Sequence, residues 1–484
     1  MPARTGQQYI ELLSKNPAEV WIAGERIGDV TTHPAFRNGV RSLAALYDQQ
    51  HSPAIKDVMT FASPSSGDAV GMSFIIPKTI EDLVKRREMM TNWAQESCGM
   101  MARTPDFLNC GISGWAGSSD YFAATRPEFK DNVLRYHEYI RETDLTLTHT
   151  LVNLQRSRNT SILDKLEDRV ALTVVKEPDA GIVVHGSRIL APLGPISDEI
   201  AVYPTRTHLL GEEERKQAFS FALPCATPGI KFMCRESLDQ GSSNFDHPLG
   251  SRFEEMDAVV FFDNVFVPWE RVFLLGDVEM ANKFAAATQS TSHTGHQVVN
   301  RTVVKTEFLL GLTSLMAETL GSTEVPHVQE KIGEIVVNLE LLKACVRSAE
   351  ADARLNEWGM MCPSFAPLTA ARTVYANSMY PRMAEIVQLL GSSSLMVLPT
   401  ESDFDSPIAP ELEHYLSTET SGARDRVRLF HLAWDVACSA FGGRQVLYER
   451  FFGGDPVRNT MLLYQGYDKT NAMDRVQTFL DRKG

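Results

Sequence analysis

No stretch of the sequence approaches the ~18 consecutive uncharged apolar residues that a membrane-crossing helix requires. The N-terminal MPARTGQQYIELLSKNPAEVW has no apolar signal core either, so a cytoplasmic location is expected. Positive charge is short as well: 47 Lys and Arg stand against 61 Asp and Glu, a formal charge of −14. A nucleic-acid backbone is repelled by that mean field unless a basic groove overrides it, and no run of basic residues forms one. Cysteine is sparse and scattered. The seven residues Cys98, Cys110, Cys225, Cys234, Cys345, Cys362 and Cys438 contain no C-x-x-C pair, which argues against a zinc site or a disulfide framework. They read as buried or partly buried thiols.

What remains is an ordinary globular composition, 43% apolar and 22% charged, in a chain of 484 residues that suggests about three domains. Residues 1–151 carry helical signals. Thr5 precedes QQYIELL, and Thr79 precedes IEDLVKRREMMTNWAQESCGMMA with Glu81 and Asp82 in the first turn. From 152 to 278 the pattern changes to short β-rich runs such as RVALTVV, GIVVHGSRIL, EIAVYPT, FSFALP and AVVFFDNVFVP, separated by Gly, Pro and Asp. From 279 to 484 the helical period returns in four blocks, 283–320, 326–358, 370–390 and 423–452. In the second, Ile332, Ile335, Val336, Leu339 and Leu342 form one apolar stripe. Gly321 and Gly391 stand where left-handed caps would end two helices. The expected class is α+β: an N-terminal α domain, a central β domain that is barrel-like, and a C-terminal four-helix bundle.

Three features are candidates for chemistry: Arg103 in MARTPDFLN, His149 in RETDLTLTHTL, and His293 with His296 in STSHTGHQVVNR. The Thr104-Pro105 pair breaks a helix next to Arg103, placing its guanidinium at a helix end facing a cavity; a surface carboxylate partner is the plain alternative. The two histidines share a helix face at metal-ligand spacing, but no EXXH arrangement or neighbouring cysteine accompanies them. Near the C-terminus, FGGRQVLYERFFGGDPVRN has two glycine pairs and three arginines, where backbone can approach a phosphate or ring closely, or simply cap and turn a helix.

In order and spacing, ARTPDF, ETDLTLTHTL, GSRILAPLGPISDEIAVYP, FDNVFVPWERVF, HQVVNRTVVKTEFLLG and ERFFGGDPVRN resemble the oxygenase component of the two-component, reduced-flavin-dependent 4-hydroxyphenylacetate 3-monooxygenase family. The resemblance spans nearly the whole chain. It implies an acyl-CoA dehydrogenase-like fold, a homotetramer, and hydroxylation of a phenol ortho to its oxygen. FADH2 from a separate flavin reductase would react with O2 to give the hydroxylating C4a-hydroperoxide. It places Arg103 and His149 in the catalytic space, with His296 as a further catalytic candidate. Phe107 and the loop Pro204, Thr205 and Arg206 would contact the substrate. The flavin would be met by His149, by Gln155, Arg156, Ser157 and Arg158, by Ala191 and Pro192, by Arg444 and Gln445, and by the turn Gly453, Gly454, Asp455 and Pro456.

Two departures mark the chain within that resemblance. Phe107 stands where the hydroxyphenylacetate enzymes carry a tyrosine, keeping the ring without its hydroxyl. Pro192 stands where relatives place a threonine near the flavin, and proline has neither hydroxyl nor amide hydrogen. Both suit a biosynthetic enzyme acting on a decorated, tyrosine-derived or carrier-protein-tethered phenol as well as a catabolic one. The same fold also resembles 4-hydroxybutyryl-CoA dehydratase, whose iron–sulfur cluster needs three cysteines. Here Cys98 is present, but Ala102 and the Val298-Val299-Asn300 stretch supply no thiol. A non-catalytic scaffold is the third reading.

Overall fold

The computed structural model describes residues 3–154, 170–204, 208–239, 241 and 243–482. The first helix, Gly6–Lys15, starts in a capping box in which Thr5 and Gln8 satisfy each other's backbone amides. The helix Ile80–Glu96 does the same with Thr79 and Asp82. It ends in a left-handed turn, with Cys98 at φ 53° and Gly99 at φ 70°. A Cβ on Gly99 would lie 2.6 Å from the Cβ of Lys305, so only glycine lets this turn dock on the long helix Ser290–Thr319.

The N-terminal region is less purely helical than its pattern suggests. The strands Glu19–Ile22 and Glu25–Ile27 form a hairpin around Ala23 and Gly24, both at positive φ, and Glu19–Ile22 then pairs in parallel with Ile230–Cys234. Among the described residues the six-stranded sheet runs Glu25–Ile27, Glu19–Ile22, Ile230–Cys234, Ala258–Pro268, Gly181–Arg188, Thr173–Lys176. The four-stranded sheet runs Val272–Leu275, Phe219–Pro224, Glu199–Val202, Leu147–Thr150. The strand carrying His149 therefore belongs to the β layer, although its sequence closes the helical region.

The C-terminal blocks fold as helices with shifted limits. The second ends at Ala351, after which Arg354–Leu355 and Met361–Cys362 make a small hairpin. Its buried stripe is Val328, Ile335, Leu339, Leu342 and Val346, whereas Val336 is exposed because it lies about 100° round the helix from Ile335. The third block contains a π turn at Tyr375–Met379. The fourth divides into Ala423–Ala437 and Ala440–Phe451, with Ser439 capping the second by accepting from Gly442 N. Gly321 does adopt the expected positive φ, 62°. Gly391 does not: it stays helical and Ser392 takes φ 48° instead. Among the described residues no helix is long and apolar enough to cross a membrane.

Candidate active site

Arg103 sits between two helices, just ahead of the N-terminal turn of Pro105–Ala116, where Pro105 occupies a position that needs no amide donor. The residue is only 7% exposed. The guanidinium carbon lies 4.0 Å from the Phe107 ring centre and 4.8 Å from that of Phe452, so two aromatic faces enclose it. Nη2 reaches the Phe452 carbonyl at 3.5 Å, while Nε and Nη1 have no acceptor among the described residues. No carboxylate is paired with it among them. The surface ion pair weighed from sequence is absent there, and a buried cation with orphaned donors stands in its place.

His149 approaches from the sheet. The strand Leu147–Thr150 pairs in parallel with Glu199–Val202, His149 opposite Ala201. Its ring lies 5.7 Å from Phe107 and 5.7 Å from Tyr203, and Tyr203 stacks edge-on against Trp115 at 4.8 Å. Phe107 thus touches both the cation and the imidazole. On the opposite face of the same strand, Thr148 and Thr150 donate to the carbonyls of Pro192 and Ile189. Ala191 and Pro192 are buried there, and Ala191 N donates to Ala258 O at 2.9 Å.

The turn Gly453, Gly454, Asp455 and Pro456 follows directly from Phe452 and so borders Arg103. Gly454 has φ 99°, and Asp455 caps the helix Pro456–Gly466 by accepting from Val457 N and Arg458 N. Arg444 is held by Glu255 and Asp257, and Gln445 donates to Met100 O and accepts from Lys305 Nζ. Both lie beneath the backbone that carries Arg103. Pro204 is buried next to Tyr203. Gln155, Arg156, Ser157, Arg158, Thr205 and Arg206 lie outside the described residues.

The remaining candidates face elsewhere. His296 Nε2 lies 2.8 Å from Glu350 Oε1, and Arg87 holds the same carboxylate oxygen at 2.7 Å. His293 Nδ1 lies 3.0 Å from Arg86 Nη2. Burial, with the neighbouring arginines, lowers the pKa of both rings, and at His296 it outweighs the opposing pull of the Glu350 carboxylate. Among the described residues no three metal-ligating side chains converge. A cavity of about 510 Å³, lined by Leu46, Cys98, Met101, Phe253 and Phe308, is likewise separate from Arg103 and His149.

Tyr203, Phe452 and Glu255 join the site without having been singled out from sequence. Phe452 lies within ERFFGGDPVRN and Tyr203 within GSRILAPLGPISDEIAVYP, beside the expected loop; Glu255 gave no local signal. Chemically, the arrangement offers a fixed buried cation, an imidazole and an aromatic wall. The orphaned Arg103 donors suit a group rich in acceptors, and the flat walls suit a ring, so the residues present fit a reduced flavin and a phenol.

Residues 5–274 match the family described as 4-hydroxyphenylacetate 3-hydroxylase N terminal, and residues 281–481 its C-terminal counterpart. The chain is 47% identical to the 4-hydroxyphenylacetate 3-monooxygenase oxygenase component of Thermus thermophilus, over 99% of this chain and 97% of that one. It is 31% identical, over 98% and 89%, to a Streptomyces globisporus monooxygenase of (3S)-3-amino-3-(3-chloro-4-hydroxyphenyl)propanoyl-[peptidyl-carrier protein SgcC2]. A crystal structure of a 4-hydroxyphenylacetate 3-monooxygenase oxygenase component with FAD and 4-hydroxyphenylacetate superposes with a TM-score of 0.94 at 46% identity, covering 99% of this chain and 98% of that one. An archaeal 4-hydroxybutyryl-CoA dehydratase from N. maritimus shares the fold, with a TM-score of 0.87 at 19% identity, covering 99% and 96%. By these matches, which run through both halves, the chain belongs to the 4-hydroxyphenylacetate 3-hydroxylase family.

Proposed function

We propose that this protein is the oxygenase component of a two-component monooxygenase that uses FADH2 and O2 to hydroxylate a phenol ortho to its hydroxyl. The observation that carries the reading is Arg103: buried, enclosed by Phe107 and Phe452, with two donors lacking acceptors among the described residues, and joined to His149 through the Phe107 ring. The bound flavin supplies the activation of oxygen. The chain's own residues have three tasks: to hold the ring, to favour its electron-rich phenolate, and to exclude water that would release peroxide.

Arg103 would stabilise negative charge on the phenolic oxygen, because a fixed cation in a dry site needs little reorganisation. His149 would take or share the phenolic proton, since an imidazole nitrogen can accept or donate a hydrogen bond. Phe107 and Tyr203 would orient the ring between them. Pro204, with Thr205 and Arg206, would influence which substituents are accepted. The flavin would be met at Ala191 and Pro192, Gln155 to Arg158, and Gly453 to Pro456. Arg444 and Gln445 would support that region from below, and His296 is the more remote candidate.

An oxygenase component works with a separate flavin reductase, and a cytoplasmic setting and a homotetramer are part of the same proposal. The tetramer is supported by the last two helices, Pro456–Gly466 and Thr470–Leu480. They expose Val457, Met461, Tyr464, Met473, Val476 and Phe479, with Phe479 68% exposed. A carrier-tethered phenol is kept alongside a free one because of the substrate named for the Streptomyces globisporus relative.

The test is to mix the protein with chemically reduced FAD and aerated buffer in the presence of 4-hydroxyphenylacetate, other free phenols, and phenols linked as thioesters. Mass gain of one oxygen on a phenol supports the reading. Peroxide formation with no oxygenated product from any of them overturns it.

A further inference from the structure

The segment Gly99–Arg103 is gripped at four backbone atoms by charged or amide side chains from the other two regions of the chain. On one side, a single carboxylate oxygen of Glu255 accepts from the amides of Ala102, at 3.0 Å, and Arg103, at 2.6 Å. Its other oxygen lies 3.0 Å from Arg444 Nη1. Arg444 in turn forks onto Asp257 at 2.9 and 3.0 Å, and Arg235 reaches the same Asp257 at 3.1 Å. Burial opposes ionisation of Asp257, but Arg444 and Arg235 outweigh it and hold the carboxyl below its ordinary range.

On the other side, Arg301 Nη1 donates to Gly99 O at 2.8 Å and Gln445 Nε2 donates to Met100 O at 3.1 Å. Arg301 and Lys305 both bind Glu449, and Lys305 also donates to Gln445. The backbone that launches Arg103 is therefore fixed from the β layer by Glu255 and from the helical bundle by Gln445 and Arg301. Among the described residues the guanidinium itself has its weak Phe452 carbonyl contact and the ring faces of Phe107, Phe452 and Tyr448, the last at 5.6 Å. Its aim depends on that backbone.

We infer that Glu255, with Arg444 behind it, is a positioning residue for the phenol site, acting through the backbone of Arg103 rather than by touching substrate or flavin. The inference rests on the functional reading above for the identity of the ligand. Charge matters here. A carboxylate accepting two consecutive amides while facing an arginine is stronger and more directional than a neutral amide oxygen in its place. A small displacement of a positioned group is costly for binding and reaction alike.

The test is a double-mutant cycle on the flavin-loaded protein, read as the dissociation constant for 4-hydroxyphenylacetate by calorimetry and as the fraction of reduced flavin that ends in hydroxylated product. Glu255→Gln is expected to weaken phenol binding about five- to tenfold and to lower coupling, with FAD affinity unchanged. In an Arg103→Ala background the same substitution is expected to add nothing to either quantity. Multiplicative effects in the double variant, or wild-type phenol affinity in Glu255→Gln, overturn the inference. If Glu255→Gln does not fold, Glu255→Asp, which keeps the charge but draws it back by one methylene, is read through the same cycle with the same two outcomes. Failure of the wild-type protein to hydroxylate any phenol while still binding it would sink the functional reading but leave the cycle readable through affinity. Loss of wild-type phenol binding would overturn both.

Discussion

The guanidinium carbon of Arg103 lies 4.0 Å from the centre of the Phe107 ring. That contact places an aromatic face where a hydroxyl-bearing ring would add a donor to the same space. Phe107→Tyr is therefore expected to lower KM for simple 4-hydroxyphenylacetate about tenfold, because one extra hydrogen bond to a buried polar group is worth roughly 1–3 kcal/mol in discrimination. Steady-state kinetics with matched phenols checks this. An unchanged or higher KM would mean that the missing hydroxyl is irrelevant to this ring.

His149 faces both Phe107 and Tyr203 across 5.7 Å. His149→Ala is expected to uncouple the reaction, with oxygen consumed and peroxide released while hydroxylated product falls by about 10²-fold or more. Parallel assays of peroxide and product decide it. Full coupling in that variant removes His149 from the chemistry.

Glu449 is fully buried between Arg301 and Lys305, both within 2.8 Å. Burial opposes its ionisation, but the two cations outweigh it and bring its pKa down to about 2. Its contribution to stability is present above the ordinary carboxylate pKa of 4.5 and is lost as pH falls from there toward 2. Glu449→Gln leaves two buried cations short of a counter-charge, a change that typically costs about 3–5 kcal/mol. Denaturant unfolding at pH 7 should show a clear drop in midpoint, shrinking as the wild-type protein is acidified toward pH 2.

Asp106 behaves oppositely. It is buried in the first turn of Pro105–Ala116, and burial outweighs its hydrogen bonds from Gln297 and the helix amides, raising its pKa to about 6. The ionised form is penalised in the folded state, so this residue's contribution to stability falls as pH rises from 3.8 to 6. Asp106→Asn should abolish that part of the slope. Unfolding curves at pH 4 and pH 7 test it: the variant gains relative to wild type at the higher pH, and a constant difference between the two proteins contradicts the assignment.

Local chemistry made some features readable and distance hid others. The Thr5 and Thr79 capping boxes and the positive φ of Gly321 depend on residues within one helical turn, so their spelling suffices. Ser392 rather than Gly391 carries the left-handed φ, because Gly391 continues as the last residue of Tyr380–Gly391. Val336 fell into the apolar stripe by residue type but lies on the exposed side. Arg103 and His149 were legible through motifs, and the structure joins them through Phe107. Glu255 was not, since its meaning lies in two amides more than 150 positions earlier.

The parallel pairing of Glu19–Ile22 with Ile230–Cys234 links residues more than two hundred positions apart. During synthesis, the amino-terminal hairpin lacks its parallel strand partner until nearly half the polypeptide has emerged. Its unpaired edge is thus offered to other nascent chains for that interval. Crowded expression should aggregate this protein early rather than late, and slower translation up to the 230s should worsen the loss.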